Sequence, residues 1–185
     1  QYGPSTMHYP FFEDRPFTEY KSLLLRMGGR DKTTIKEAVT IGLVEGKMNF
    51  LTQSIKPYVL YINAEYWGVY YMMEKRNKYM FAAHEGAGDP ENMNVLTGYG
   101  AVLHGTSDNY KELMNYVRSH DMSLKESYEY VAARLDTDSF MDEMIGEIWV
   151  ANNDPNNIQY YQILPDGKWK QVYYDFCITF SQADH

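Results

Sequence analysis

The chain has 185 residues, 44% hydrophobic and 23% charged, with a formal net charge of −8. That length carries one domain with a real core or two small lobes around a cleft, and the composition excludes a disordered or fibrous protein. No basic run is present, which argues against nucleic-acid binding and against docking on an anionic membrane. No apolar run approaches the roughly 20 residues that span a bilayer. Cys177 is the only cysteine, so no internal disulfide can form. No signal peptide is visible, and Gln1 reads as a cut edge. The 18 Tyr residues, with many Asn, point to a surface-exposed or extracellular protein. An acidic protein that handles nucleotides would need Mg²⁺ or Mn²⁺ to bring phosphates near its carboxylates.

Residues 1–16 are rich in Pro, Tyr and Phe and read as an irregular lead-in. A strand is expected around Leu23-Leu24-Leu25, ending at Gly28-Gly29. A helix follows over Thr33–Phe50, capped by Thr33 or Thr34, with Ile35, Ala38, Val39 and Leu43 recurring at helical spacing. Tyr58–Ile62 and Trp67–Met73 are dense in β-branched and aromatic residues and form a hairpin about Asn63-Ala64-Glu65. Alternation on that strand places Trp67, Tyr70 and Tyr71 in packing roles. Gly86–Asn94 is a polar loop. Helices are expected at Tyr110–His120, after a Ser123…Glu126 capping box, and from Asp138 or Ser139 onward. The last should bury Phe140, Met144 and Ile148 with Met141, Ile145 and Trp149. Ile158–Leu164 and Lys168–Tyr174 then pair around Pro165-Asp166-Gly167. The fold class is α+β, with an antiparallel sheet-rich N-terminal part and a helical C-terminal part.

The candidate chemistry lies between Trp149 and Phe176. Asp154, among Asn152, Asn153, Asn156 and Asn157, stands at the end of a helix and before the last hairpin, and Asp175 stands just after that hairpin. Protein kinases use this order of parts: a loop Asp for the acceptor hydroxyl, an Asn for metal, and a second Asp for Mg²⁺ on the phosphates. On residue type alone, plain turn chemistry is the better account of Asp154. Asp175, flanked by Tyr174 and Phe176, is expected to be partly buried and so to need a partner. His84, His104 and His120 have no metal-ligand spacing and read as surface histidines, and Cys177 as a buried, inert thiol.

Three stretches resemble the CotH-type kinases of bacteria. They are Tyr61-Ile62-Asn63-Ala64-Glu65-Tyr66-Trp67-Gly68, with Glu74 beyond it; Asn153-Asp154-Pro155-Asn156-Asn157; and Trp169 through Tyr174-Asp175-Phe176. Leu25-Arg26 with Gly28-Gly29-Arg30-Asp31 is similar to the family's strand before its first helix. The resemblance implies an atypical protein-kinase-like fold in truncated form. Residues 1–73 would be N-lobe-like, 74–94 connecting, and 95–185 C-lobe-like. It implies transfer of phosphate from ATP, with Mg²⁺ or Mn²⁺, to Ser or Thr of spore-coat, surface or secreted proteins. Asp154, for which the family motif reverses the preference for plain turn chemistry, would be catalytic, and Asp175 with Asn157 or Asn156 would hold metal. Arg26 or Lys21 would meet the phosphates with Glu37 as helix partner, and Met72 to Glu74 would lie by the adenine. Departures from the family pattern are the missing Trp after Asp154, Cys177 where Asp is common, Ala64 for Gly, and the lack of a complete Gly-rich loop before residue 17. Cys177, the shortened loop after Asp154 and the truncation favour an alternative, a non-catalytic pseudokinase-like or structural module that binds a partner.

Overall fold

The computed structural model describes residues 5–27, 33, 35–154 and 157–180. In chain order the elements are β1 Met7–His8, β2 Glu19–Tyr20, β3 Leu23–Arg26, α1 Lys36–Val44, β4 Leu51–Thr52, β5 Ile55–Ile62 and β6 Glu65–Glu74. There follow α2 Lys78–Glu85, β7 Met93–Thr97, β8 Ala101–His104, α3 Asp108–Ser119, α4 Lys125–Ala132, α5 Thr137–Trp149, β9 Gln159–Ile163 and β10 Lys170–Tyr173. The expected α+β class is correct. Gly28-Gly29-Arg30-Asp31, Thr34, Pro155 and Asn156 lie outside the described residues.

The first sheet has the order β3-β6-β5, all antiparallel. Its hairpin closes over Asn63 and Ala64, whose φ values of 51° and 67° suit a type I′ turn. Alternation does not bury Trp67, which is 55% exposed; Tyr61 and Tyr66, paired on the opposite face, are exposed too, so among the described residues neither face of the hairpin tip is covered. Tyr71, nearer the chain's centre, is buried as expected.

The second sheet, ordered β4-β10-β9-β7-β8, carries the helices. Period-two alternation assigns its faces. Tyr161, Val172 and Val95 pack with Phe81 of α2 on one side, while Tyr160, Trp169 and Leu96 pack with Leu113 of α3 on the other. β4 enters this sheet parallel to β10, pairing Leu51 with Val172, and after Gln53 and Ser54 the chain continues as β5 of the first sheet. Both linking residues are buried. They are satisfied there: the Ser54 amide donates to the Glu74 carboxylate at 2.8 Å, and the Gln53 amide donates to the Glu74 carbonyl.

α1 is shorter than the spacing suggests, stopping before Gly46, whose φ is +69°. It buries Thr40, Ile41 and Val44 and leaves Ile35, Val39 and Leu43 exposed. The Ser123 capping box does not form, because the Ser123 side chain bonds Asp121 instead and α4 starts from Leu124 without a side-chain cap. α5 is capped by Asp136, whose carboxylate accepts from the Ser139 amide at 3.0 Å. Its buried face is also the reverse of the apolar expectation: Ser139, Glu143 and Gly146 are buried, whereas Met141, Ile145, Ile148 and Trp149 are exposed.

The reason is close approach. Ser139 Oγ accepts from the Gln171 amide at 3.0 Å, and Gly146 lies against the ring of Tyr173. That ring is fully buried between Phe50, 4.3 Å away, and Phe176, 4.1 Å away. A Cβ at position 146 would meet it at 2.8 Å. Gly146→Ala is therefore expected to lower stability by about 1–3 kcal/mol despite its better helix propensity, a loss readable by urea unfolding. An unchanged midpoint would show that α5 does not sit against β10 in this way.

Candidate functional site

Asp175 follows β10 directly and has a φ of +66°, a left-handed conformation that Asp tolerates better than most residues. Tyr174 and Phe176 on either side are buried, and Phe176, wholly inaccessible, anchors the turn with about 2–3 kcal/mol of burial. The turn thus directs the Asp175 side chain, 18% exposed, away from the core. The partial burial expected for it is observed.

Across from it, α5 ends at Trp149 and Ala151 takes a φ of +48°, turning the chain into the loop that holds Asp154. The Asn152 side chain accepts from the Asp154 amide at 3.1 Å, and its other end donates to the Glu147 carboxylate. Asn157 joins the two halves: its single Nδ2 donates to Asp154 Oδ2 at 3.1 Å and to Asp175 Oδ2 at 2.8 Å. Asp154, Asn157 and Asp175, twenty-odd residues apart in sequence, are therefore one hydrogen-bonded set. A pocket of about 290 Å³ adjoins it, lined by Glu143, Glu147, Asn152, Asp154 and Asn157.

Cations approach from the first sheet. Arg26, at the end of β3, lies 3.4 Å from Glu37 in the first turn of α1 and 3.6 Å from Asp175 Oδ1. Burial raises the Glu37 pKa, and nearby Asp175 adds to this, while Arg26 and Arg76 oppose it. One Glu37 oxygen, Oε1, is buried without a hydrogen-bond partner. Arg76 went unread in the sequence. It sits just past β6, its guanidinium 3.6 Å over the Tyr174 ring and bonded to Gln159 at 3.1 Å and Gln53 at 2.5 Å. Burial lowers its pKa, against the pull of Tyr174, Glu37 and Asp175. Cys177 donates to Asp175 Oδ1 at 3.3 Å, and burial followed by that carboxylate raises the thiol.

The other expected residues stand elsewhere. Lys21 donates to Thr6 at 2.6 Å and lines a separate pocket of about 250 Å³. Glu74, 2% exposed, accepts from Arg15 at 3.1 Å and from Ser54, with His84 at 3.0 Å. His84 is thereby mostly covered, its side chain 14% exposed, because Glu74 draws it inward, and it is not the surface histidine its spacing suggested. Met72 is a half-buried rung of the first sheet, opposite Leu25 and Lys56. Of the phosphate-binding candidates, then, Arg26 with Glu37 reaches Asp175, and Lys21 does not.

A family model described as CotH kinase protein matches residues 6–185. The chain belongs to the CotH kinase family. No curated protein matches it. In this CotH family member no helix among the described residues is long and apolar enough to cross a membrane. No group of three His, Cys, Asp or Glu side chains among the described residues could hold a metal alone. A cation bound by Asp175 and Asn157 would draw its remaining oxygen ligands from phosphate and water, the usual arrangement for Mg²⁺. A carboxylate with an amide oxygen suits such a hard cation; Asn157 here turns its Nδ2 toward both carboxylates and would present its Oδ1 once the amide is flipped.

Proposed function

We propose that this CotH kinase family member transfers the γ-phosphate of ATP, with Mg²⁺ or Mn²⁺, to Ser or Thr hydroxyls of spore-coat, surface or secreted proteins. The observation that carries the reading is the Asn157 bridge between Asp154 and Asp175. Nucleotide would lie between residues 1–73 and 95–185, with 74–94 connecting them. Asp175 and Asn157 would hold the cation, which neutralises charge on the phosphates when bound. Arg26, oriented by Glu37, supports phosphate oxygens from the first sheet. Asp154 orients the acceptor hydroxyl and takes its proton, so the chain's work is positioning and electrostatics. Arg76, stacked on Tyr174, keeps positive potential beside the Asp175 turn.

A second reading, a non-catalytic module of the same fold, is favoured by two contacts: the Cys177 thiol and Arg26 both lie against Asp175 Oδ1. Thermal unfolding with ATP and Mn²⁺ separates the two. A nucleotide at about 100-fold over its Kd adds roughly 2.7 kcal/mol to a chain that binds it only when folded. The kinase reading expects this shift, its dependence on metal, and its loss in Asp175→Ala. No shift at saturating nucleotide would leave the non-catalytic module.

A further inference from the structure

Arg76 stands two residues beyond β6, at the exit of the first sheet, yet its head reaches the second. Its Nε donates to Gln159 Oε1 at 3.1 Å, its Nη1 donates to Gln53 Oε1 at 2.5 Å, and its Cζ lies 3.6 Å from the centre of the Tyr174 ring. All three partners are buried. Gln53 also donates to the Glu74 carbonyl, which ties that arm to the end of β6.

The other two partners are sequence neighbours of the side chains assigned to the cation. Gln159 follows Asn157 by two residues, and Tyr174 directly precedes Asp175. Gln159 is the register partner of Val172, two residues before Tyr174. One guanidinium therefore touches both strands of the β9–β10 hairpin, at the end where Asn157 and Asp175 emerge. A planar fork can donate in its own plane while its face stacks on a ring, which an ammonium cannot match. Both acceptors are neutral amides, and a guanidinium drawn out of water against neutral groups forgoes the gain of pairing with a carboxylate. What these contacts secure is the position of the hairpin end. Glu37 and Asp175 also lie within reach of the Arg76 charge, so potential and position are separable roles.

We propose that Arg76 is the positioning residue of the Asn157–Asp175 pair, a role that rests on the phosphoryl-transfer reading of the site. By holding Gln159 and the Tyr174 ring against Gln53, it fixes the spacing of the two side chains and their placement relative to the first sheet, from which Arg26 approaches. It acts through Tyr174 and Gln159 and touches neither nucleotide nor cation.

The test measures binding of mant-ATP, a fluorescent ATP analogue, with and without Mn²⁺, to the wild type, Arg76→Met, Arg76→Lys and Tyr174→Leu. Arg76→Met should raise the Kd measured with Mn²⁺ about tenfold, the loss expected when the support behind a cation ligand is removed, and leave the metal-free Kd within about twofold. Arg76→Lys keeps the charge, loses the fork and should match Arg76→Met. Tyr174→Leu should act in the same direction and add less than about twofold on top of Arg76→Met, because the two residues work as one unit. In the metal-free chain, the Asn157 side-chain amide signals, assigned by NMR through their loss in Asn157→Asp, should move in Arg76→Met toward those of a free asparagine. A lower unfolding midpoint with an unchanged Mn²⁺ Kd would overturn the proposal and leave Arg76 a structural crosslink. Full recovery in Arg76→Lys, or an equal rise in the metal-free Kd, would overturn it in favour of potential alone. A wild type that binds no mant-ATP with Mn²⁺ would instead sink the phosphoryl-transfer reading. The Asn157 signals then judge the positioning role by themselves: if they stay in place in Arg76→Met, or in Tyr174→Leu should Arg76→Met not fold, Arg76 does not position the pair.

Discussion

Asp154→Ala is expected to lower phosphoryl transfer about 10³-fold while leaving ATP·Mn²⁺ affinity within about twofold. The expectation follows from the division of labour around Asn157. Asp175 keeps its 2.8 Å bond to Asn157 and its proximity to Arg26 when Asp154 is truncated, so the groups assigned to cation and phosphate stay in place. What disappears is one acceptor for Asn157 and the carboxylate that would orient the attacking hydroxyl. The loop itself is held by the Asp154 amide donating to the Asn152 side chain and by the Glu147–Asn152 contact, neither of which uses the Asp154 carboxylate. Asp175→Ala differs in kind: nucleotide binding and transfer should fall together. Transfer of label from γ-labelled ATP, measured with the thermal shift on both variants, distinguishes the roles. Full transfer by Asp154→Ala would remove Asp154 from the chemistry.

The parts of this architecture that were legible in the sequence are those governed by local rules. Tyr58–Ile62 against Trp67–Met73 reads as a hairpin because β-branched and aromatic residues flank a turn, and Pro165-Asp166-Gly167 does the same for β9 and β10. The order helix, Asp154, hairpin, Asp175 was enough to pair the two carboxylates, because a hairpin returns its ends to the same edge. What the pattern could not show was which face of a helix meets a partner. In α5 the apolar stripe faces outward, since Ser139 and Gly146 permit an approach to β10 that larger side chains would forbid. Nor could it show Arg76. The run Glu74-Lys75-Arg76-Asn77 reads as a charged strand end, yet two of its members turn inward, Glu74 to Arg15 and Arg76 to Tyr174. Both partners are remote in sequence. The one available signal was the unusual supply of buried-side glutamines, Gln53 and Gln159, whose carbonyl oxygens hold the guanidinium. β7, β8 and α2 were missed for a related reason: they are short, and α2 is capped by Asn77 inside that same charged run.

Glu143→Gln is expected to stabilise the chain at alkaline pH and to leave it nearly unchanged at pH 4. Glu143 is 3% exposed, and burial, with Glu147 one helical turn away, raises its pKa from 4.5 to about 7. The unfolded chain releases this proton near 4.5, whereas the folded chain keeps it until about 7. Between those values the unfolded state binds fewer protons, so stability falls as pH rises, present in full below the lower value and lost above the upper one. A shift of that size corresponds to about 3 kcal/mol, the most that Glu143→Gln can recover at pH 8. Glu147, raised mainly by burial, and then by Asp175, changes stability with the same sign and should leave a residual slope in the variant. Tyr173, whose buried hydroxyl lacks a partner and faces both carboxylates, offers no cation to offset them. Urea unfolding of the two proteins at pH 4, 6 and 8 measures the difference directly. A gap that widens with pH follows from a carboxyl buried without a partner, whereas a gap constant in pH would mean that Glu143 is ionised in the folded chain and paired with a cation.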